Sequence, residues 1–181
     1  KPLLDNASVV EIMSAKLEAM LNDVRWLREQ DGVSHEWAVH ERSIMEALGV
    51  VEMESVDLLL TSPPYLNNYH YVRNTRPQMY WLGFASSPAD LRKLEETNFG
   101  KFWQVVREQD PIGLAFQMPE LSAKLDAIRK LRIEKGIYGG NGWANYAATY
   151  YNDTYRFLEI AAKLLKPGGA AVIVVGHRLL Q

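Results

Sequence analysis

The chain has 181 residues, 48% of them hydrophobic and 23% charged, with a net charge of −2 and a pI near 6.1. That size buries one good core, and the absence of cysteine excludes disulfides, thiolate zinc sites and a cysteine nucleophile. No apolar run approaches the roughly 20 residues of a membrane-spanning helix, and no signal-peptide pattern heads the sequence, so a cytoplasmic location is expected.

Ser8 and Glu11 form a Ser-x-x-Glu capping box, and Val10, Met13, Leu17, Met20, Leu21, Val24 and Leu27 recur on one face. They predict an amphipathic helix that packs on a sheet. Residues 36–43 read as a strand, and a short helix covers residues 44–48. Residues 56–60 are apolar apart from Asp57, as in a strand buried on both faces of a parallel sheet. This strand runs straight into Thr61-Ser62-Pro63-Pro64-Tyr65, where two prolines end the ladder because neither donates a backbone hydrogen bond. Ligands of open α/β sheets bind outside the carboxyl ends of the strands, so Ser62 and Tyr65 project into a candidate active-site crevice. Taken alone, the four residues from Ser62 to Tyr65 also suit a stiff turn.

Residues 66–74 alternate polar and aromatic side chains, which suits a loop lining a pocket. Ser87-Pro88 starts a helical stretch to about Val106, Asp110-Pro111 breaks it, and residues 121–135 form a second helix. Gly136 opens a flexible glycine-rich loop that ends at Gly142; it lacks the preceding strand of a dinucleotide fingerprint. Phe157, Leu158, Ala161, Leu164 and Leu165 then mark a helix capped by Asp153 or Thr154 and ended by Lys166-Pro167-Gly168-Gly169. Residues 170–175 are uniformly apolar and read as a second buried strand. His35, His40, His70 and His177 form no metal-ligand set, and His70 reads as a hydrogen-bonded loop residue rather than a catalytic base.

At Thr61-Ser62-Pro63-Pro64-Tyr65 the chain resembles the S-adenosylmethionine-dependent amino-methyltransferases of DNA, whose motif is Asp, Asn or Ser followed by Pro-Pro and an aromatic. Tyr65-Leu66-Asn67-Asn68, Tyr80-Trp81-Leu82-Gly83 and the Lys-Pro-Gly-Gly turn before an apolar strand resemble the same group. The likeness covers residues 1–84 and 146–178. It implies a Rossmann-like, mostly parallel sheet flanked by helices, an α/β class I methyltransferase core. The whole chain, 1–181, would be one such domain, with a helical insertion at about 85–145. The implied chemistry has a physical logic. An exocyclic base amine is a poor nucleophile because its lone pair is delocalised into the ring. The Ser62 hydroxyl oxygen and the Pro63 carbonyl would accept hydrogen bonds from the amine as positive charge builds on it, with Pro64 fixing the turn and Tyr65 stacking on a base flipped from double-stranded DNA. Lack of cysteine agrees with transfer to an amine rather than to carbon. Ser in the first position favours cytosine N4 over adenine N6, and adenine stays open.

The resemblance further implies cofactor contacts at Asp5, Glu41 and Thr61, and base or DNA contacts at Asn67, Asn68, Tyr71 and Arg73. The competing readings are a helix-leading turn for Asp5 and a surface ion pair for Glu41. Overall charge does not advertise nucleic-acid binding. Local charge does, because Lys124, Arg129, Lys130, Arg132 and Lys135 face only Asp126 and Glu134, and Arg73, Arg76, Arg92 and Lys93 follow the motif. An ordinary solvated helix face has the same pattern. No glycine-rich cofactor motif is present, and the first residue is Lys1. We therefore expect a piece lacking a first βα unit and a final hairpin, with a missing segment or partner subunit supplying the glycine turn. A restriction–modification enzyme is the first reading. A catalytically silent methyltransferase-like scaffold or DNA-binding module is the second, and a protein-glutamine methyltransferase, which uses Asn-Pro-Pro-Tyr, is the third.

Overall fold

The computed structural model describes residues 8–30, 36–66 and 70–176. Asp5, Asn67 and Asn68 lie outside the described residues. The chain divides into two units, Lys1–His40 and Glu41–Gln181.

In the first unit, α1 (Val9–Glu29) starts where the sequence predicts, with the Ser8 side chain accepting from the Glu11 N–H at 3.3 Å. That bond satisfies one of the donors every helix start leaves free. No residue of α1 is buried. Residues 36–43 form no strand; they run as irregular backbone with Trp37 and Val39 exposed. A strand exists only through its ladder, and among the described residues no other strand pairs with this stretch.

The second unit is mixed α and β, a small parallel sheet flanked by helices. Met45 donates to the Ser43 hydroxyl at 3.3 Å, which starts a 3-10 turn over Ile44–Gly49. β1 (Val56–Thr61) follows, then α2 (Tyr71–Trp81), α3 (Pro88–Thr97), α4 (Trp103–Val106) and α5 (Pro119–Arg129). A second 3-10 stretch (Ile133–Tyr138) leads to α6 (Gly140–Leu164), and β2 (Leu165–Ile173) closes the order. α3 has a complete capping box between Ser87 and Asp90 with Pro88 at its start, as the Ser-Pro signal foretells. The sequence predicts loop through residue 74; Tyr71 and Arg73 instead sit in the first turn of α2.

α6 is the organising element. It begins thirteen residues before its expected cap at Asp153, inside what the sequence suggests is a glycine loop. Gly140 explains why. A Cβ there would overlap the carbonyl oxygen of Ile128, so only glycine lets the start of α6 pass so close to the end of α5. Ala144 and Ala148, both fully buried, then pack with Leu125 of α5, and Ile112, Leu114, Leu121 and Ile128 close around them. Further along, Ile160 and Leu164 join Ala47, Met45, Val51 and Val56. Each fully buried large aliphatic chain of this kind contributes about 1.5–3 kcal/mol.

β1 and β2 pair in parallel, Leu58 opposite Ala170 through Thr61 opposite Ile173, and the Val174 N–H extends the ladder to the Thr61 carbonyl at 2.9 Å. The register is interrupted between Val56, opposite Leu165, and Leu58. The Lys-Pro-Gly-Gly stretch fills that excursion and is pinned by Lys166 Nζ, 2.8 Å from both Asp57 carboxylate oxygens. β1 is where the sequence predicts it, whereas β2 begins five residues before the expected start at Ala170, takes in the Lys-Pro-Gly-Gly stretch and ends at Ile173. Burial on β1 differs from the expected, since Leu58 is 58% and Leu60 70% exposed.

Candidate active site

β1 delivers Ser62 through Tyr65 at its carboxyl end, and the prolines stop the ladder there. The Ser62 Oγ and Tyr65 hydroxyl lie 2.9 Å apart, so the turn is closed by its own first and last side chains. Ser62 is exposed, while Pro63, Pro64 and Tyr65 are half-buried. A serine hydroxyl has one proton and two lone pairs. When Tyr65 donates to it, Ser62 keeps a lone pair for a second donor. The Pro63 carbonyl has no hydrogen-bond partner among the described residues.

Two neighbours hold Tyr65. Beyond β2, Gly176 comes so close that a Cβ on it would lie 2.8 Å from the Tyr65 ring, so the ends of both parallel strands converge on the motif. On another side Pro64, Tyr65, Tyr71, Phe99, Phe102 and Tyr150 line a cavity of about 10 Å³, room for one water. Burial raises the Tyr150 phenol above its ordinary range, so it is neutral near pH 7.

This wall is held from behind by His70 and by two partners that the sequence does not reveal, Glu95 and Phe102. His70 Nε2 sits 2.7 Å from Glu95 Oε1, with the two side chains only 12% and 22% exposed. The His70 ring stacks on Phe102 at 3.9 Å and 8°. An ionised Glu95 only accepts, so Nε2 carries the proton; Nδ1 is buried without a partner among the described residues. The Gly100 N–H donates to Asp153 Oδ2 at 2.8 Å, which ties the same wall to α6. His70 is thus hydrogen-bonded, as its context suggests. Its partner lies 25 residues away, at no spacing a linear motif could reveal.

Of the other residues singled out from the sequence, Tyr71 comes to the motif as a wall of the small cavity, and Arg73 is exposed on α2 and lines none of it. Thr61 is half-buried, with its carbonyl engaged by Val174. Glu41 is exposed and has no ion-pair partner among the described residues. Neither Glu41 nor Thr61 lines the cavity beside Tyr65. Among the described residues no group of three or more His, Asp or Glu gathers to hold a metal, and no helix is long and apolar enough to cross a membrane.

The chain matches no family model, no curated protein and no solved structure.

Proposed function

We propose that this chain carries the acceptor site of an S-adenosylmethionine-dependent DNA amino-methyltransferase with a Rossmann-like core, acting on cytosine N4 in preference to adenine N6. The observation that carries the reading is the Ser-Pro-Pro-Tyr turn at the carboxyl end of a parallel strand, closed by the 2.9 Å Ser62–Tyr65 contact, with the Pro63 carbonyl unpartnered among the described residues. Two oxygens, one from a side chain and one from a backbone freed by proline, suit the two hydrogens of an exocyclic amine. As that nitrogen turns nucleophilic, both acceptors strengthen against the growing positive charge. Tyr65, held by Gly176 and the aromatic wall, would offer its ring to the base.

S-adenosylmethionine would supply the methyl group, but the described residues do not assemble a pocket for it. Glu41 and Thr61 stand apart from the cavity at the motif, and Asp5 lies outside the described residues. The reading therefore concerns the acceptor side. The second reading, a silent DNA-binding or scaffold module, draws on the same observation and on a cavity too small for a base.

One experiment separates the two. The full-length protein is incubated with S-adenosylmethionine and unmethylated DNA, and the digested nucleosides are weighed by mass spectrometry. N4-methylcytosine or N6-methyladenine is expected, falling about a hundredfold or more in Ser62→Ala, the scale of losing one preorganised polar group. No methylated base on DNA of varied sequence would leave the silent module.

A further inference from the structure

The stretch between α5 and α6 carries a second aromatic cluster, in the part of the chain that the resemblance leaves unexplained. Trp143, in the first turn of α6, stacks near-parallel on Trp103 of α4 at 5.1 Å and 24°. Tyr138 approaches the other side of this group, 5.8 Å from Trp103. The Arg107 guanidinium lies 5.0 Å from the Trp103 ring centre and 4.9 Å from that of Tyr138, a cation held between two π faces. Tyr146 braces Trp143 edge-on at 6.3 Å. The rings are therefore fixed in place before any ligand arrives.

A fixed aromatic cluster would be ordinary core if it were buried. It is not, because Trp143 is 43% and Tyr138 57% exposed. Both border a cavity of about 260 Å³, whose other walls include Ile128, Leu131 and Arg132. That is just below the roughly 300–1,000 Å³ of pockets for drug-sized ligands and suits one flat ring system. Arg132 brings a cation to its wall, and the same stretch of chain carries Lys130 and Lys135; all three are exposed, Glu134 is the one acid among residues 130–135, and none of the three has an ion-pair partner among the described residues. Arg132 is also held in left-handed backbone, φ 49°, which is uncommon for a side chain of its size.

An apolar slot walled by tryptophan and tyrosine selects a planar ring, and Arg132 in its wall, with exposed Lys130 and Lys135 within three residues along the chain, selects a polyanion. One ligand has both. We infer that this platform binds single-stranded DNA by stacking an unpaired base against Trp143 and Tyr138, while Lys130, Arg132 and Lys135 meet the flanking phosphates. The inference deepens the DNA reading given above and rests on it for the choice of DNA among nucleic acids; the geometry it uses is separate from Ser62–Tyr65.

The test is fluorescence anisotropy of a labelled oligothymidylate with the full chain and no cofactor, alongside the same sequence as duplex and heparin as a polyanion without bases. Single-strand binding should exceed binding of duplex and heparin. Trp143→Ala should weaken it about tenfold, the scale of one base–aromatic stack, with Trp143→Phe recovering most of the loss. Neutralising the three cations with Lys130→Gln, Arg132→Gln and Lys135→Gln should lower the slope of log affinity against log salt by about 2, at about 0.7 per phosphate contact. These three side chains are exposed, so that arm decides the matter even if Trp143→Ala fails to fold. Binding indifferent to these charges, or equal for heparin and oligothymidylate, overturns the proposal. Absence of methyl transfer with this binding intact would sink the reading of Ser62 and leave the platform standing.

Discussion

The surroundings of α6 and the β1–β2 sheet treat apolar side chains in opposite ways. Along α6, eleven residues are buried, and small ones do much of the packing: Gly140, Gly142, Ala144 and Ala148 let neighbouring backbone come close. On β1, Leu58 and Leu60 are large, apolar and mostly exposed. A parallel pair of strands with large apolar side chains left uncovered is marginal by itself, since such sheets are ordinarily covered on both sides and two strands rarely suffice. The motif therefore rides on the less self-sufficient part of the molecule, while the helical part supplies the fixed frame.

The comparison breaks most readily at Asn145. This residue is fully buried in α6, donating to the carbonyls of Val106, Gln109 and Asp110 and accepting from the Ile112 N–H at 2.9 Å. Asn145→Ala should cost about 3 kcal/mol, because buried backbone groups lose their partner together. Urea unfolding measures it; a loss under about 1 kcal/mol would mean that α6 does not hold the frame. On the sheet the expected effect is far smaller. Leu60→Ser should change stability by less than about 0.5 kcal/mol in the same assay, as for other exposed positions. A cost of about 2 kcal/mol would show that this face is covered in solution.

The smallest effect sharpens the helical side. Asp90 accepts from the Ser86 and Ser87 backbone and side chains, and those bonds lower its pKa from 3.8 to about 2. The folded value is depressed, so this contribution is fully present above the unfolded pKa and is lost as pH falls through the folded one. The α3 cap should weaken only between about pH 4 and pH 2, and the Asp90 carboxyl resonance should titrate near pH 2. A midpoint near 4 would mean that the capping box is not formed.

What the sequence made legible follows the same division. β1 is readable because its apolar run and its stop at Pro63-Pro64 are both local, and α3 because Ser87, Pro88 and Asp90 spell out its start. The first half of α6 is not readable. Gly139-Gly140-Asn141-Gly142 has the composition of a loop, and each helical glycine costs about 1 kcal/mol, until the close approach of α5 requires it. Asp153 and Thr154 resemble caps, yet Asp153 is used by Gly100 from another segment, and Thr154 donates back to the Tyr150 carbonyl within the helix. At the site, the motif itself was visible, whereas the His70–Glu95–Phe102 support depends on contacts between separate elements.

Asn145 has a companion two turns along α6. Asn152 accepts from the Ala115 N–H at 2.8 Å and donates to the Gly113 carbonyl at 2.9 Å, so two amides stitch residues 110–115 to the helix. These bonds span 33 to 39 residues. Neither amide can be in position until at least two turns of α6 exist, and long-range closures of this kind come late in folding. The stitch is therefore expected to act as a latch on the way out rather than a guide on the way in: substitutions at Asn145 and Asn152 should speed unfolding and leave the refolding rate nearly unchanged in stopped-flow measurements.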